Sequence, residues 1–255
     1  SEGIVLMNDS IKKLAELVQA SENIVFFGGA GVSTESGIPD FRSSKGIYSE
    51  KWKKTYAPET VVSHTFYRHY PEEFWEFYKE KMCFPDAVPN DCHRVLASWE
   101  RQGKVKAVVT QNIDGLHQKA GSKRVYELHG SVLRNYCTGC GRFYSLDDVL
   151  EMEGVPVCSR CGKTIKPDVV LYEESLDDDV LSGAVKAISK ADLQLIGGPS
   201  LVVYPAAGLI RYFRGSHIAV VNISATQADS SADIVIREPI GKVFFETDRL
   251  LKEGL

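Results

Sequence analysis

No run of apolar residues in the 255-residue chain approaches the roughly 20 that a bilayer crossing needs, which excludes a helical membrane span. An excess of basic residues is also missing. Thirty lysines and arginines against 34 aspartates and glutamates leave a net charge of −4, so there is no general electrostatic drive toward nucleic acid or an anionic membrane, only room for a local patch. No internal repeat and no low-complexity tract is present, which removes the solenoid and disordered classes. The first residues lack a charged-then-apolar leader pattern, and the expected location is cytoplasmic. A hydrophobic content of 44% in 255 residues is enough for a substantial core, in one large domain or a domain with a smaller insert.

A further absence lies in the stretch "FFGGAGVSTESGIPDFRS", Phe26 to Ser43, which follows an apolar run. Glycines after a strand let backbone N–H groups and a helix N-terminus approach a pyrophosphate. The dinucleotide fingerprint G-x-G-x-x-G is incomplete here, because Gly29 and Gly31 are followed by Thr34 in the third place. The acidic residue expected about 20 positions on, which would hold ribose hydroxyls, is missing too; "PDFRSSKGIYSEKWKK" reads as loop.

Around that turn the chain alternates short apolar runs with amphipathic helices. Ile11, Leu14, Ala15 and Val18 repeat at helical spacing behind Asp9 and Ser10 as candidate caps, and "NIVFF" reads as a buried strand. "NDCHRVLASWERQG" sets Cys92, Val95, Leu96 and Trp99 on one helical face with Gly103 as a stop, and "VKAVVT" follows as a strand. Beyond Lys166 come "DVVLY" as a strand, a helix near Asp177 to Ser189 with Leu181, Ala184, Val185 and Ile188 inward, "LQLIGG" as a strand, and a helix after Tyr204. "IAVVNIS", "DIVI" and a helix from about Ile240, with Val243, Phe244 and Leu251 inward, complete the series. This alternation predicts an α/β fold with a doubly wound parallel sheet. Two stretches interrupt it: Ser43 to Asp86, which holds a helix at "PEEFWEFYKEKM" with Pro71 in the first position, and the polar, cysteine-paired Cys137 to Cys161.

Cys137-x-x-Cys140 and Cys158-x-x-Cys161, with 17 residues between the pairs, have the spacing of a four-thiolate zinc site. Two such turns complete a tetrahedron with no open position, so the zinc is expected to be structural. Two disulfides are the competing reading, disfavoured in a chain without a secretory leader. A ribbon that docks nucleic acid is the other, and Asp147, Asp148, Glu151 and Glu153 there offset Arg142, Arg160 and Lys163. Cys83 and Cys92 are expected in the core.

Gln111, Asn112 and Asp114 stand where the strand "VKAVVT" ends, the place where open α/β sheets bind ligands. His129 follows a second short apolar run, "RVYEL", and precedes a glycine, so it can face the same crevice as an acid or base. Asp114 also suits a helix cap for "GLHQKA". His64, His69, His93, His117 and His217 lack such placement and are expected to be structural.

Taken in order, "GAGVSTESGIPDFR", "TQNIDGLHQKAG", "HGS", the paired cysteines, "KPDVVLYEE" and "VVYPAAGL" resemble the sirtuins, NAD-dependent protein-lysine deacylases, and most closely their bacterial members. The likeness runs from about Asn23 to the C-terminal helix. It implies a Rossmann-type domain (1–42, 87–132 and 167–255) and a small domain built from a helical module (43–86) and a zinc ribbon (133–166). NAD, consumed as a co-substrate, and an acyl-lysine protein or peptide would meet between them. On matching positions the resemblance gives Ala30, Thr34, Phe41 and Arg42 to the phosphate, ribose and nicotinamide region. It gives Gln111, Ile113 and Asp114 to the nicotinamide-ribose pocket, and Ser200, Asn222 and Ile240 to the adenosine half. His129 is the implied general base, with Asn112 and Asp114 orienting the reactants.

Several residues depart from the family pattern: Pro199 where a hydroxyl residue is common, Ser224 and Ala225 where glycine and glutamate are frequent, and Glu173 where glycine is frequent. Glu173 is expected to be solvated, with attraction for basic peptides as the alternative. Tyr78 and Lys81 match the Tyr-x-x-Arg of members that remove acidic acyl groups, but lysine lacks arginine's bidentate fork, so acetyl is the expected acyl group. Mono-ADP-ribosyl transfer remains the nearest rival activity. Hydride transfer is disfavoured by the missing ribose acid, and a ribbon acting purely as a binding module is disfavoured by its charge.

Overall fold

The computed structural model describes residues 2–40, 47–49, 53–199 and 203–255, so Phe41, Arg42 and Ser200 lie outside the described residues. Strands β1 (Ile24–Gly28), β2 (Ile47–Ser49), β3 (Lys54–Tyr56), β4 (Val105–Thr110), β5 (Val125–Glu127) and β6 (Gly130–Cys137) make up the first half. Then come β7 (Phe143–Ser145), β8 (Ile165–Val169), β9 (Leu193–Gly197), β10 (His217–Val221) and β11 (Ile234–Ile236).

Six of these form one sheet in the order β11-β10-β9-β1-β4-β5, with every neighbouring pair parallel. This is the doubly wound parallel sheet that the alternation predicts, in the Rossmann-like order that the resemblance implies. Every residue of β1 is buried, because side chains alternate between two covered faces. Ile24 and Phe26 pack under the helices Glu2–Ala20, Asp91–Arg101 and Ile240–Glu253, and Val25 and Phe27 under the helix Asp178–Lys190. From β1 the chain builds outward through β4 and β5, then returns to the other side with β9, β10 and β11. The reversal falls between β1 and β9, and a crevice at the carboxyl ends of strands is where such sheets take ligands.

The first helix spans Glu2–Ala20, so Asp9 and Ser10 lie inside it and cap nothing. Ile11, Leu14, Ala15 and Val18 are buried as their spacing predicts, but no proline stops the helix upstream, and Glu2 sits favourably at its positive end. The element after Tyr204 is a 3-10 turn, Ala206–Tyr212.

A second sheet, β7-β6-β8, is antiparallel and carries its own core. Phe74, Trp75 and Tyr78 from the helical segments join Val149 from the cysteine-paired segment and Ile165 from β8 there, all fully buried. "DVVLY" is corrected by this topology: its first residues complete β8 beside β6, with Ile165 opposite Cys137, and are not a strand of the parallel sheet. Val170 to Tyr172 then run as a strap, since Val170 N donates to His129 O (2.9 Å) and Tyr172 N to Val62 O (3.0 Å). No described helix is long and apolar enough to cross a membrane.

Candidate active site

The glycine turn closes tightly on the end of β9. Gly29 N donates to Gly197 O (3.2 Å) and Gly31 N to Gly198 O (3.1 Å). A Cβ on Gly31 would stand 2.6 Å from Gly198 Cα, so packing between two loops already demands glycine there, apart from any ligand.

From this turn Ser33 Oγ donates to Asp114 Oδ2 at 2.6 Å. Asn112 Nδ2 donates to Gly29 O (2.8 Å) and to Ser33 Oγ (3.2 Å). Asp114 also accepts from Leu116 N (3.0 Å) through Oδ1, although the N-cap of the short helix Leu116–Lys119 is Gly115 and not Asp114. Burial raises the Asp114 pKa against the lowering effect of the Ser33 and Leu116 bonds. These polar side chains are therefore locked before any ligand arrives. Ser33 is the member that sequence reading missed; its only signal is its place within "GAGVST".

A cavity of about 1160 Å³ opens over this network. Its lining includes Ala30, Ser33, Gln111, Asn112, Ile113, Asp114 and His129, and on the other side Tyr172, Glu173 and Tyr204. That volume exceeds the roughly 300–1,000 Å³ typical of a small-molecule site. His129 is half-buried in the turn between β5 and β6. Gly130 after it has φ +79°, and a Cβ there would lie 2.0 Å from Asp168 O, so only glycine lets the turn seat against β8.

Other expected residues stand apart from this group. Thr34 is exposed, outside the cavity lining, and its hydroxyl donates back to Gly31 O (3.1 Å). Asn222 lies just beyond β10 and donates to Ser224 O (2.8 Å). Ile240 is buried as the first residue of the last helix.

Glu173 is exposed as expected, and its carboxylate also accepts from Thr65 N (3.0 Å) and Thr65 Oγ1 (2.8 Å), the backbone N–H bond leading in lowering its pKa. Its φ of +78° is the left-handed conformation that glycine takes freely. Tyr78 is fully buried and stacked on Phe74 with centroids 5.6 Å apart, whereas Lys81 reaches the cavity wall. The two side chains thus form no shared carboxylate clamp.

Behind the network His93 and His117 are buried with ring centroids 4.8 Å apart. Burial lowers His93 to about 4 and His117 well below its usual value. The unfolded chain takes up protons below about pH 6.5 that the native pair refuses, so stability should fall as pH drops from there, by about 1.4 kcal/mol per pH unit per histidine. Urea unfolding at pH 7 and pH 5 checks this, and an unchanged unfolding free energy would contradict it.

The sulfurs of Cys137, Cys140, Cys158 and Cys161 lie within 4.8 Å of one another, with Cys137 to Cys161 at 3.3 Å and Cys140 to Cys158 at 3.7 Å. Zinc–sulfur bonds of about 2.3 Å put tetrahedral sulfurs about 3.8 Å apart, so the four fit a zinc ion. The Tyr144 hydroxyl donates to Cys158 Sγ (3.1 Å) and leads in drawing its pKa down to about 6, which favours the thiolate that binds metal. All six cysteines are free thiols, and Cys83 and Cys92 are buried as expected.

Comparison with known proteins matches residues 29–205 to the Sir2 family. A protein of Clostridium perfringens named NAD-dependent protein deacetylase is 63% identical over 238 residues, covering 93% of this chain and 98% of that protein. Among solved structures, a Sir2 homolog–NAD complex superposes with TM-score 0.84 at 35% identity, covering 95% of this chain and 94% of the other. A Sir2 bound to acetylated peptide gives TM-score 0.80 at 39% identity, covering 96% and 98%.

Proposed function

Because the chain belongs to the Sir2 family, we propose that it is an NAD-dependent protein-lysine deacetylase, an acyl transferase that releases nicotinamide and forms O-acetyl-ADP-ribose. One observation carries this reading: a single cavity at the carboxyl ends of β1, β4 and β5 is lined by both the Ser33–Asn112–Asp114 network and His129. NAD supplies the ribose carbon that takes the acyl oxygen as nicotinamide leaves.

The residues divide that work by position. Ala30, Gln111 and Ile113, with Asn112 and Asp114, hold and orient the nicotinamide-ribose end. The hydrogen bonds of Asn112 to Gly29 O and Ser33 and of Ser33 to Asp114 preorganise these side chains for the reacting groups. By their motif positions Thr34, Phe41 and Arg42 are assigned to the phosphate, ribose and nicotinamide region, and Ser200, Asn222 and Ile240 to the adenosine half. His129, as neutral imidazole, takes a proton from a ribose hydroxyl so that its oxygen can accept the acyl group. The zinc is structural, held by the four cysteines. The small domain comprises 43–86 and 133–166; β8 and Leu171, whose residues share its core, are counted with it. We place the protein in the cytoplasm, acting on acyl-lysine proteins or peptides, with no nucleic-acid partner required.

Acetyl is the acyl group this site favours, since Tyr78 is walled into the core and Lys81 alone offers no fork to a carboxylate. Incubation with NAD and either acetyl- or succinyl-lysine peptide, followed by mass spectrometry, tests both points. O-acetyl-ADP-ribose should form readily and the succinyl product at least about tenfold more slowly, a gap of about 1.4 kcal/mol. ADP-ribose linked to protein as the main product would mean mono-ADP-ribosyl transfer, and faster succinyl turnover would overturn the acyl assignment.

A further inference from the structure

Arg134 forks between carboxylates of two different sheets. Its Nη1 donates to Glu127 Oε1 at 2.8 Å and its Nε to Asp168 Oδ2 at 2.9 Å. Glu127 ends β5 of the parallel sheet, Asp168 belongs to β8 of the smaller sheet, and Arg134 itself lies on β6. These three strands converge on the turn that carries His129. One side of that turn leans on the parallel sheet, where Leu128 N donates to Thr110 O (3.0 Å). The other leans on the strap after β8, where His129 O accepts from Val170 N (2.9 Å). A hinge between sheets would pass through this turn, and the guanidinium spans it.

The Glu127 side chain is only 9% exposed, against 36% for Arg134. An isolated surface pair adds little, but a planar fork with one largely buried partner fixes geometry as well as charge. Arg134 does not line the cavity, so it acts through the turn and not on the reactants.

We propose that Arg134 is a positioning residue for His129: by tying β5 to β6 and β8 it holds the His129 turn where acyl transfer needs it. This rests on the deacetylase reading, in which breaking the nicotinamide bond and moving the acyl group are separable steps and only the second uses His129.

The test compares Arg134→Met and Arg134→Lys with the unaltered enzyme at saturating NAD and acetyl-lysine peptide, measuring exchange of labelled nicotinamide into NAD alongside O-acetyl-ADP-ribose formation. Arg134→Met should slow product formation on the order of 10- to 100-fold, the usual cost of misplacing a reacting group, while exchange stays within about twofold. Arg134→Lys, able to reach one carboxylate, should fall between. Adding Glu127→Gln to Arg134→Met should cost nothing more, because the link is already broken. Equal loss of both steps, or no loss, would overturn the proposal. Absence of peptide-dependent exchange in the unaltered enzyme would instead overturn the deacetylase reading. In that event amide hydrogen exchange still decides: faster exchange confined to residues 125–131 in Arg134→Met supports the positioning role, and unchanged protection there refutes it.

Discussion

His129→Ala should leave a folded, zinc-loaded protein whose deacetylation is slower by about 10²- to 10⁴-fold, the range that a positioned general base contributes. The fold should survive because the turn is held by main-chain bonds that alanine keeps, Val170 N to His129 O and Leu128 N to Thr110 O. His129 is half-buried in a turn that lines the cavity, so its removal takes a polar side chain from the cavity wall and no apolar side chain from the cores. Peptide-dependent nicotinamide exchange should persist, since the Ser33–Asn112–Asp114 network does not include His129. Turnover, exchange rate, metal content and melting temperature of the variant check the four parts together. Retained turnover would remove His129 from the mechanism, and a lost fold would make its role structural.

Cys158→Ser is expected to have the other large effect: loss of bound zinc, and with it the smaller sheet and all activity. A structural four-thiolate site contributes about 10–16 kcal/mol of binding free energy that is also folding free energy. Cys137 and Cys158 are themselves part of the small core, which reaches through Ile165 and Val169 to Leu171. Leu171 to Glu174 form the cavity wall, so unravelling the ribbon should open the site from a distance. Serine keeps the shape of cysteine but is a poor zinc ligand, which isolates metal binding from packing. Elemental analysis and the thermal transition of the variant measure the outcome. A metal-free variant with full activity would show that the ion is dispensable.

Much of this was legible in the sequence where one physical demand dominates. The apolar faces of the helices Asp91–Arg101 and Ile240–Glu253 follow from spacing alone, and Cys92, Leu96, Val243 and Phe244 are buried as they require. The C-x-x-C pairs read correctly as a cluster because chelation fixes their spacing. What escaped depends on contacts distant in sequence. "DVVLY" is apolar enough for the parallel sheet, and only pairing with β6 sends it elsewhere. Ser33 gains meaning from Asp114, 81 residues away, and Glu173 from Thr65, 108 residues away. The Tyr78 and Lys81 positions match a motif without revealing which side of the backbone faces the cavity, and the helix changes there to a π turn over Tyr78–Met82.

Nicotinamide release from NAD, with and without an acetyl-lysine peptide, is the most direct test of the deacetylase assignment. Release that depends on the peptide, with one O-acetyl-ADP-ribose per nicotinamide, is the expected result. No release under either condition, or equal release in both, would contradict it.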